Sequence, residues 1–387
     1  MNIKTSQNPK TKKPVIAICY DFDKTLSPYN MQECGFIQEV GFDNVADFWK
    51  KSNSFAEKNN MDQNLAYMFT MINEAEGKVL LTKDNLKKYG QQIELFPGVE
   101  TWFKRINSYA EKNGIVVEHY IISSGLKEMI EGTSISHEFK EIFATSFYCN
   151  DRNIPAWPAQ VVNYTNKTQF LFRISKNVLD INSPDVNNYF SPDEIKVPFR
   201  NIVYIGDSDT DIPCMKLVND KHGYSIGVYN QKNGDKSRVY QMMKDGRIGY
   251  YAPADYTEGK ELEQLIKIII DKTKSNEQLL EIHYQNANEA INHITNTAEK
   301  NRRQLIDELN NAKNIEHIKV IFKELKKSKK WEQQEVSTML CLAIEHPLVN
   351  ENIEDITINE IYSNILEYAD KNEKYYKEVS DLIIKRN

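Results

Sequence analysis

The segment Val15 to Tyr20, VIAICY, is apolar at every position, rich in β-branched residues and without helical spacing, and it runs directly into the polar stretch DFDKTLS. A short run of this kind is the pattern of a strand covered on both faces, as in the centre of a parallel sheet flanked by helices. It commits the chain to an α/β layer architecture. The acids that follow then lie at the carboxyl end of the strand, the edge at which open parallel sheets bind ligands.

The rest of the chain up to about residue 256 continues the alternation. From Pro28 to Leu95 the pattern changes to short amphipathic helices, such as Val45 to Phe55, Leu65 to Ala75 and Thr82 to Leu95, with no strand among them. This predicts a helical insertion standing over the end of the first strand. FPGVETWFKRINSYAEKNG then reads as a helix with Pro97 near its start and Gly114 just past its end. Val117 to Gly125 predicts a second strand with a glycine-assisted turn, and Phe139 to Cys149 a third. Pro155, Trp157 and Pro158 mark an irregular or two-stranded excursion, after which NKTQFLFRISK starts a helix with Lys167 in its first turn. NIVYIGDSDTDIPCMKLV gives another strand, turn and helix, and Tyr224 to Tyr229 a further strand.

Beyond about Thr257 the sequence is almost wholly helix-forming, with the single proline Pro347. EGKELEQLIKIIIDKT is assigned to the sheet domain as its last helix, followed by four or five helices with a joint near Glu345 to Ile353. With 387 residues, 40% of them hydrophobic, two or three domains are expected. Residues 14–27 and 96–270 form the α/β core, 28–95 the helical cap and 271–387 a C-terminal all-helical region.

A net charge of -6 with 27% charged residues does not advertise a nucleic-acid partner. The basic run KELKKSKKW reads as a solvated helical face. The first fourteen residues are polar and no segment approaches about 18 consecutive apolar residues, so a soluble cytoplasmic protein without a membrane partner is expected. Five scattered cysteines form neither an even disulfide set nor a zinc pattern with the histidines.

Asp21 and Asp23 flank one residue at the strand end. Two close carboxylates repel when both are ionised, so the pair needs a cation between them or leaves one acid protonated. Phosphoryl transfer uses both outcomes: a nucleophile beside a metal, and an acid for the leaving group. GDSDTD, Gly206 to Asp211, brings further acids to the end of a second apolar strand, enough to complete an oxygen-rich site for a hard ion such as magnesium. A lysine in the first turn of a helix could offset charge on the nucleophile and on the phosphoryl group. Lys167 and Lys176 both remain candidates.

DFDKT at Asp21 to Thr25, IISSG at Ile121 to Gly125, Lys167 in NKTQ and GDSDTD, in this order, resemble the motifs of the haloacid dehalogenase-like (HAD) hydrolase superfamily, in its phosphoserine phosphatase-like branch. The resemblance covers about residues 14 to 270. It implies a Rossmann-like core with a parallel sheet and a helical cap inserted after the first motif. It implies Asp21 as nucleophile forming an aspartyl-phosphate, Asp23 as general acid and then base, and Thr25 as the residue orienting Asp23. Mg2+ would be held by the side chains of Asp21 and Asp207 and the backbone carbonyl of Asp23. Ser123, with the backbone of Ser124 and Gly125 and with Lys167, would hold the phosphate. Asp211 would support Lys167 or a metal-bound water, with Asp209 as the alternative.

The expected activity is therefore a magnesium-dependent phosphohydrolase acting on a phosphate monoester, with the cap choosing a small phosphorylated metabolite. A phosphotransferase with an acceptor other than water, or a scaffold protein on a HAD-like core, are the alternatives. The C-terminal helices leave a homodimer or a partner protein open.

Overall fold

The structure is a computed structural model that describes residues 13–384 apart from Asp193 and Lys329, the side chains of Ile291, Thr295, Asn296 and Ile384 also lying outside the description. Packing divides the chain into two units, between Glu281 and Ile282.

The first unit is built on a seven-stranded sheet. Its strands are β1 (Val15–Tyr20), β2 (Val116–Leu126), β3 (Glu141–Cys149), β4 (Pro155–Gln160), β5 (Ile202–Gly206), β6 (Tyr224–Tyr229) and β7 (Tyr250–Pro253). The order is β4-β3-β2-β1-β5-β6-β7. All neighbours are parallel except β4, which returns antiparallel along β3. β1 is thus central, and five of its six residues are buried, as its unbroken apolar run requires.

Register places the motifs together. Tyr20 pairs with Ile121 on β2 and with Ile205 on β5, so Asp21, Ser123 and Asp207 emerge at the same edge of three adjacent strands. The Asp21 N–H still donates to the Ile205 carbonyl at 2.9 Å. The pairing of β2 with β3 slips between Ser123 and Leu126, a bulge that turns the backbone of Ser124 and Gly125 out of the ladder.

Five helices lie between β1 and β2, and the first four form the insertion: α1 (Phe36–Glu39), α2 (Val45–Asn59), α3 (Gln63–Ala75) and α4 (Lys83–Gly90), preceded by a 3-10 turn at Met31–Glu33. Asn44, Asp62 and Thr82 each accept backbone N–H groups at the starts of α2, α3 and α4, caps worth about 1 kcal/mol each. Phe36, Phe48 and Tyr67 are buried between these helices, with Trp49 half-buried beside them. The remaining crossovers are α5 (Val99–Lys112), α6 (Lys127–Gly132), α7 (Lys167–Lys176), α8 (Ile212–Asp220) and α9 (Ser237–Lys244).

Helix α10 spans Glu261–Asn310. The sequence reading ended a helix near Lys274 and began a new region there. No glycine or proline interrupts Glu261–Asn310, so nothing in the backbone stops the helix where the apolar pattern changes. The second unit adds α11 (Ile315–Leu325), α12 (Gln333–Glu345), α13 (Pro347–Asn350), α14 (Ile356–Tyr368) and α15 (Tyr376–Ile384). It has its own core, in which Phe322, Val336, Leu340, Tyr362 and Val379 are fully buried. Among the described residues no helix is long and apolar enough to cross a membrane.

Candidate active site

Asp21 is buried at the end of β1. The chain then turns sharply: the N–H groups of Thr25, Leu26 and Ser27 all point at the Phe22 carbonyl, at 2.9–3.3 Å, and Lys24 has a φ of 58°. Asp21 Oδ1 lies 3.1 Å from Lys167 Nζ. The pair lacks hydrogen-bond alignment, so this enclosed oxygen has no hydrogen-bond donor among the described residues. Burial and the charge of Asp211 raise the Asp21 carboxyl to about 6 against the pull of Lys167.

Lys167 comes from the first turn of α7 and is wholly buried. Its ammonium donates to Asp211 Oδ1 at 2.7 Å. Burial alone would lower its affinity for a proton, but the charges of Asp21 and Asp211 outweigh this and raise it. Lys176 is elsewhere, its ammonium donating to the carbonyls of Val186 and Asn188 at 2.7 Å. The lysine facing Asp21 is therefore Lys167.

Asp211 is fully buried and both its oxygens are engaged. Oδ1 also accepts from Tyr204 Oη at 2.8 Å, and Oδ2 accepts from Ser208 N–H at 3.2 Å and from Ser208 Oγ at 3.1 Å. Gly206 makes room for it: a Cβ there would lie 2.6 Å from Asp211 Oδ2. Asp209 points away, exposed and paired with Arg238 at 2.6 Å. Asp207 is half-buried, and one carboxylate oxygen from each of Asp21, Asp207 and Asp211 lies within 4.8 Å of the others. Enclosure by protein and the charges of Asp211 and Asp21 raise the Asp207 carboxyl well above its usual range.

Asp23 accepts a hydrogen bond from Met31 N–H at 2.9 Å. Part of its surface is exposed, yet the protein packed around the carboxyl, with the charge of Asp21, raises it to about 8. At neutral pH it carries a proton. The Thr25 hydroxyl, expected to orient Asp23, is buried with no hydrogen-bond partner among the described residues, and the Thr25 carbonyl accepts from Tyr256 Oη at 2.9 Å. The donor that fixes Asp23 is a backbone N–H, which no side-chain pattern announces.

Ser123 is buried, its Oγ accepting from Gly125 N–H at 3.1 Å. The Ser124 carbonyl accepts from Tyr67 Oη on α3 at 2.9 Å. A Cβ on Gly125 would collide with the Met31 methyl and stand 3.2 Å from Asp23 Oδ2. Tyr204, Ser208 and Met31 were not among the sequence candidates. Of these only Ser208 had a signal, its place in the acidic turn.

No protein-family model matches the chain. An uncharacterized protein of Borreliella burgdorferi is 26% identical over 280 residues, which is 65% of this chain and 95% of that protein. Among solved structures, a HAD family hydrolase of Salmonella enterica serovar Typhi is 18% identical with a TM-score of 0.44, covering 65% of this chain and 70% of that one. A phosphoserine phosphatase solved as a phospho-aspartyl intermediate analogue is 17% identical with a TM-score of 0.39, covering 66% and 99%. A probable phosphoserine phosphatase of Vibrio cholerae is 12% identical with a TM-score of 0.44, covering 68% and 67%.

The chain's own strand order carries the fold assignment, together with the arrival of Asp21, Ser123 and Asp207 at one sheet edge with Lys167 beside them. On that ground the first unit has a Rossmann-like α/β core with its motif residues at one sheet edge, the arrangement that the resemblance to the haloacid dehalogenase-like superfamily implies.

Proposed function

We propose that the protein is a phosphohydrolase that cleaves phosphate monoesters through an aspartyl-phosphate on Asp21. The observation that supports this reading best is the pairing of two acids in opposite states. Asp21, at about 6, is largely ionised at neutral pH and has an enclosed oxygen without a donor, whereas Asp23, at about 8, holds its proton. Carboxylates pushed apart in this way supply a nucleophile and an acid in one site.

In the first step an Asp21 oxygen attacks the phosphorus, the ester P–O bond breaks, and the departing oxygen takes the proton of Asp23. In the second, the Asp23 carboxylate removes a proton from water. The water oxygen then attacks the phosphorus, breaking its bond to Asp21. Phosphate leaves, Asp21 is free, and Asp23 again carries a proton. Lys167 offsets the negative charge that gathers on the phosphoryl oxygens, and Ser123 with the backbone of Ser124 and Gly125 orients them. Asp211 and Tyr204 hold Lys167 in place.

The acid set fits a hard divalent cation. Three carboxylates lie close together against one ammonium, Asp211 is spent on its own donors, and Asp21 Oδ1 meets only the ammonium that it shares with Asp211. Asp21 and Asp207, with the Asp23 carbonyl, would hold Mg2+, which when bound adds charge stabilisation to the phosphoryl group. Helices α1 to α4 act as a cap, excluding bulk water and contacting the leaving group of a small phosphorylated metabolite.

The test is release of inorganic phosphate from a panel of phosphate esters, with and without Mg2+, by the full chain and by Asp21→Asn. Metal-dependent release that is lost in Asp21→Asn supports the reading. Release unchanged by the substitution contradicts it.

A further inference from the structure

Tyr67 stands on the cap helix α3 and is buried, and its hydroxyl reaches the sheet domain. Tyr67 Oη donates to the Ser124 carbonyl at 2.9 Å. That carbonyl lies in the bulge of β2. Strand β1 pairs with β2 only as far as Ile121, and β3 pairs with Ser123 and next with Leu126, so neither neighbour holds Ser124 or Gly125 in its ladder. Residues in a bulge are left out of the pairing, and the direction of this peptide is set by whatever else binds it.

The Ser124 carbonyl and the Gly125 N–H belong to one trans peptide unit, which is planar, so the two point in opposite directions. On one side the carbonyl meets Tyr67, and on the other the N–H donates to Ser123 Oγ at 3.1 Å. A serine hydroxyl has one hydrogen to give and lone pairs to receive. The Gly125 N–H occupies a lone pair of Ser123 and leaves the hydrogen for a phosphoryl oxygen. Turned over, the same peptide would present its carbonyl to Ser123 and take that hydrogen itself.

The Tyr67 ring is held for this task. Trp49 packs edge-on against it with centroids 6.1 Å apart, and the Thr145 hydroxyl, which accepts from Val162 N–H at 3.0 Å, lies beside its oxygen. Burial raises the phenol well above its ordinary range, so it stays a donor.

Resting on the phosphohydrolase reading, we infer that Tyr67 is a positioning residue for the phosphoryl group: its hydroxyl fixes the Ser124–Gly125 peptide, and through it the donor hydrogen of Ser123. The cap thereby serves the phosphate end of the substrate, which every ester shares, and the contribution of Tyr67 does not depend on the leaving group. Asn64, three residues earlier on α3, supplies the contrast. Its Nδ2 donates to the Val162 carbonyl at 2.8 Å, a bond from cap to core that does not touch this peptide.

The test uses the full chain with Mg2+ and measures kcat/KM on p-nitrophenyl phosphate, glycerol 3-phosphate and O-phosphoserine, with the Ki of inorganic phosphate as competing product. It compares wild type with Tyr67→Phe, Ser123→Ala, the double variant and Asn64→Ala, each checked by thermal melting. Phe keeps the ring against Trp49 and removes one oxygen. Tyr67→Phe is expected to lower kcat/KM about fivefold or more, the worth of one hydrogen bond, by the same factor on every ester the wild type turns over, and to raise the Ki similarly. In the Ser123→Ala background the same substitution should cost less than about twofold, because its target is gone. Asn64→Ala should change the Ki less than about twofold.

Full additivity of Tyr67→Phe with Ser123→Ala, an unchanged Ki in Tyr67→Phe, or an equal rise in Ki in Asn64→Ala overturns the positioning role, while wild-type turnover keeps the phosphohydrolase reading. Absence of wild-type turnover on every ester overturns both.

Discussion

Lys167 Nζ sits 3.1 Å from Asp21 and 2.7 Å from Asp211, so one buried cation is shared between the proposed nucleophile and an acid that is itself saturated with donors. Asp211 thus fixes the lysine, and the lysine is left to face the phosphoryl group. Replacing Lys167 with Met should lower kcat by at least a hundredfold. It also leaves two carboxylates buried without their cation, a change worth about 3–5 kcal/mol of stability by analogy with broken buried pairs. Asp211→Asn, which keeps shape and one acceptor, should lower kcat about tenfold with little change in KM, and denaturant melts with steady-state kinetics separate the two effects.

Gly206 is required by the same arrangement. A Cβ there would stand 2.6 Å from Asp211 Oδ2 and 2.7 Å from its Cγ, so Gly206→Ala must push Asp211 off Lys167. The expected outcome is a loss of kcat similar to that of Asp211→Asn, with about 1–3 kcal/mol of destabilisation from overpacking. Combining the two substitutions should then give less than the sum of their effects on kcat, which a double-mutant cycle measures.

The acids set a pH window. The kcat/KM profile should fall as Asp23 loses its proton near pH 8, and Mg2+ held by Asp21 should keep that carboxylate ionised below its metal-free value of about 6, so the acid limb moves down as Mg2+ is raised. Stability of the metal-free protein should run the other way over part of that range. Asp23 binds its proton more tightly folded than unfolded, so its contribution is fully present below the ordinary carboxylate range near 3.8 and is lost as pH rises through about 8. Melting temperatures measured from pH 6.5 to 9, above the range in which His119 titrates in the unfolded chain, should therefore decline in the metal-free wild type and be flatter in Asp23→Asn.

His119 imposes a separate limit on the acid side. Trp102 Nε1–H donates to Tyr20 Oη at 2.8 Å, Tyr20 Oη lies 3.0 Å from His119 Nδ1, and His119 Nε2 lies 2.9 Å from Asn107 Oδ1. An acceptor at Asn107 and a hydroxyl at Tyr20 suit the neutral ring protonated on Nε2. Burial lowers the ring to about 3, so its contribution is present above its ordinary value of 6.5 and is lost as pH falls toward 3. Acid unfolding followed by circular dichroism should begin below about pH 6, and His119→Gln should lessen the slope between pH 6 and 4.

The parts legible in the sequence were those written in side-chain periodicity. The unbroken run Val15 to Tyr20 announced a central strand, and the acids after it and after Val203 to Gly206 announced a shared edge. The α/β class with a helical region beyond it followed from the same patterns. Backbone donors carry no such mark, which is why the Met31 N–H on Asp23 was invisible and the hydroxyl of Thr25 was credited instead. Tyr204 reads as one more apolar strand residue until its hydroxyl is seen on Asp211. Lys167 and Lys176 open and close the same helix, α7, and only the fold shows which end faces Asp21. The run from Glu261 to Asn310 changes its apolar face without a helix breaker, and periodicity alone reads that change as a boundary.

The central claim is a covalent phosphoryl group on Asp21. The most direct measurement is mass spectrometry of the full chain quenched in acid during turnover of a phosphate ester with Mg2+, followed by peptide mapping. The account predicts a phosphoryl adduct on the peptide holding Asp21, absent from Asp21→Asn and accumulating when Asp23→Asn slows its hydrolysis. Turnover with no adduct in either the wild type or Asp23→Asn, or an adduct that persists in Asp21→Asn, would contradict it.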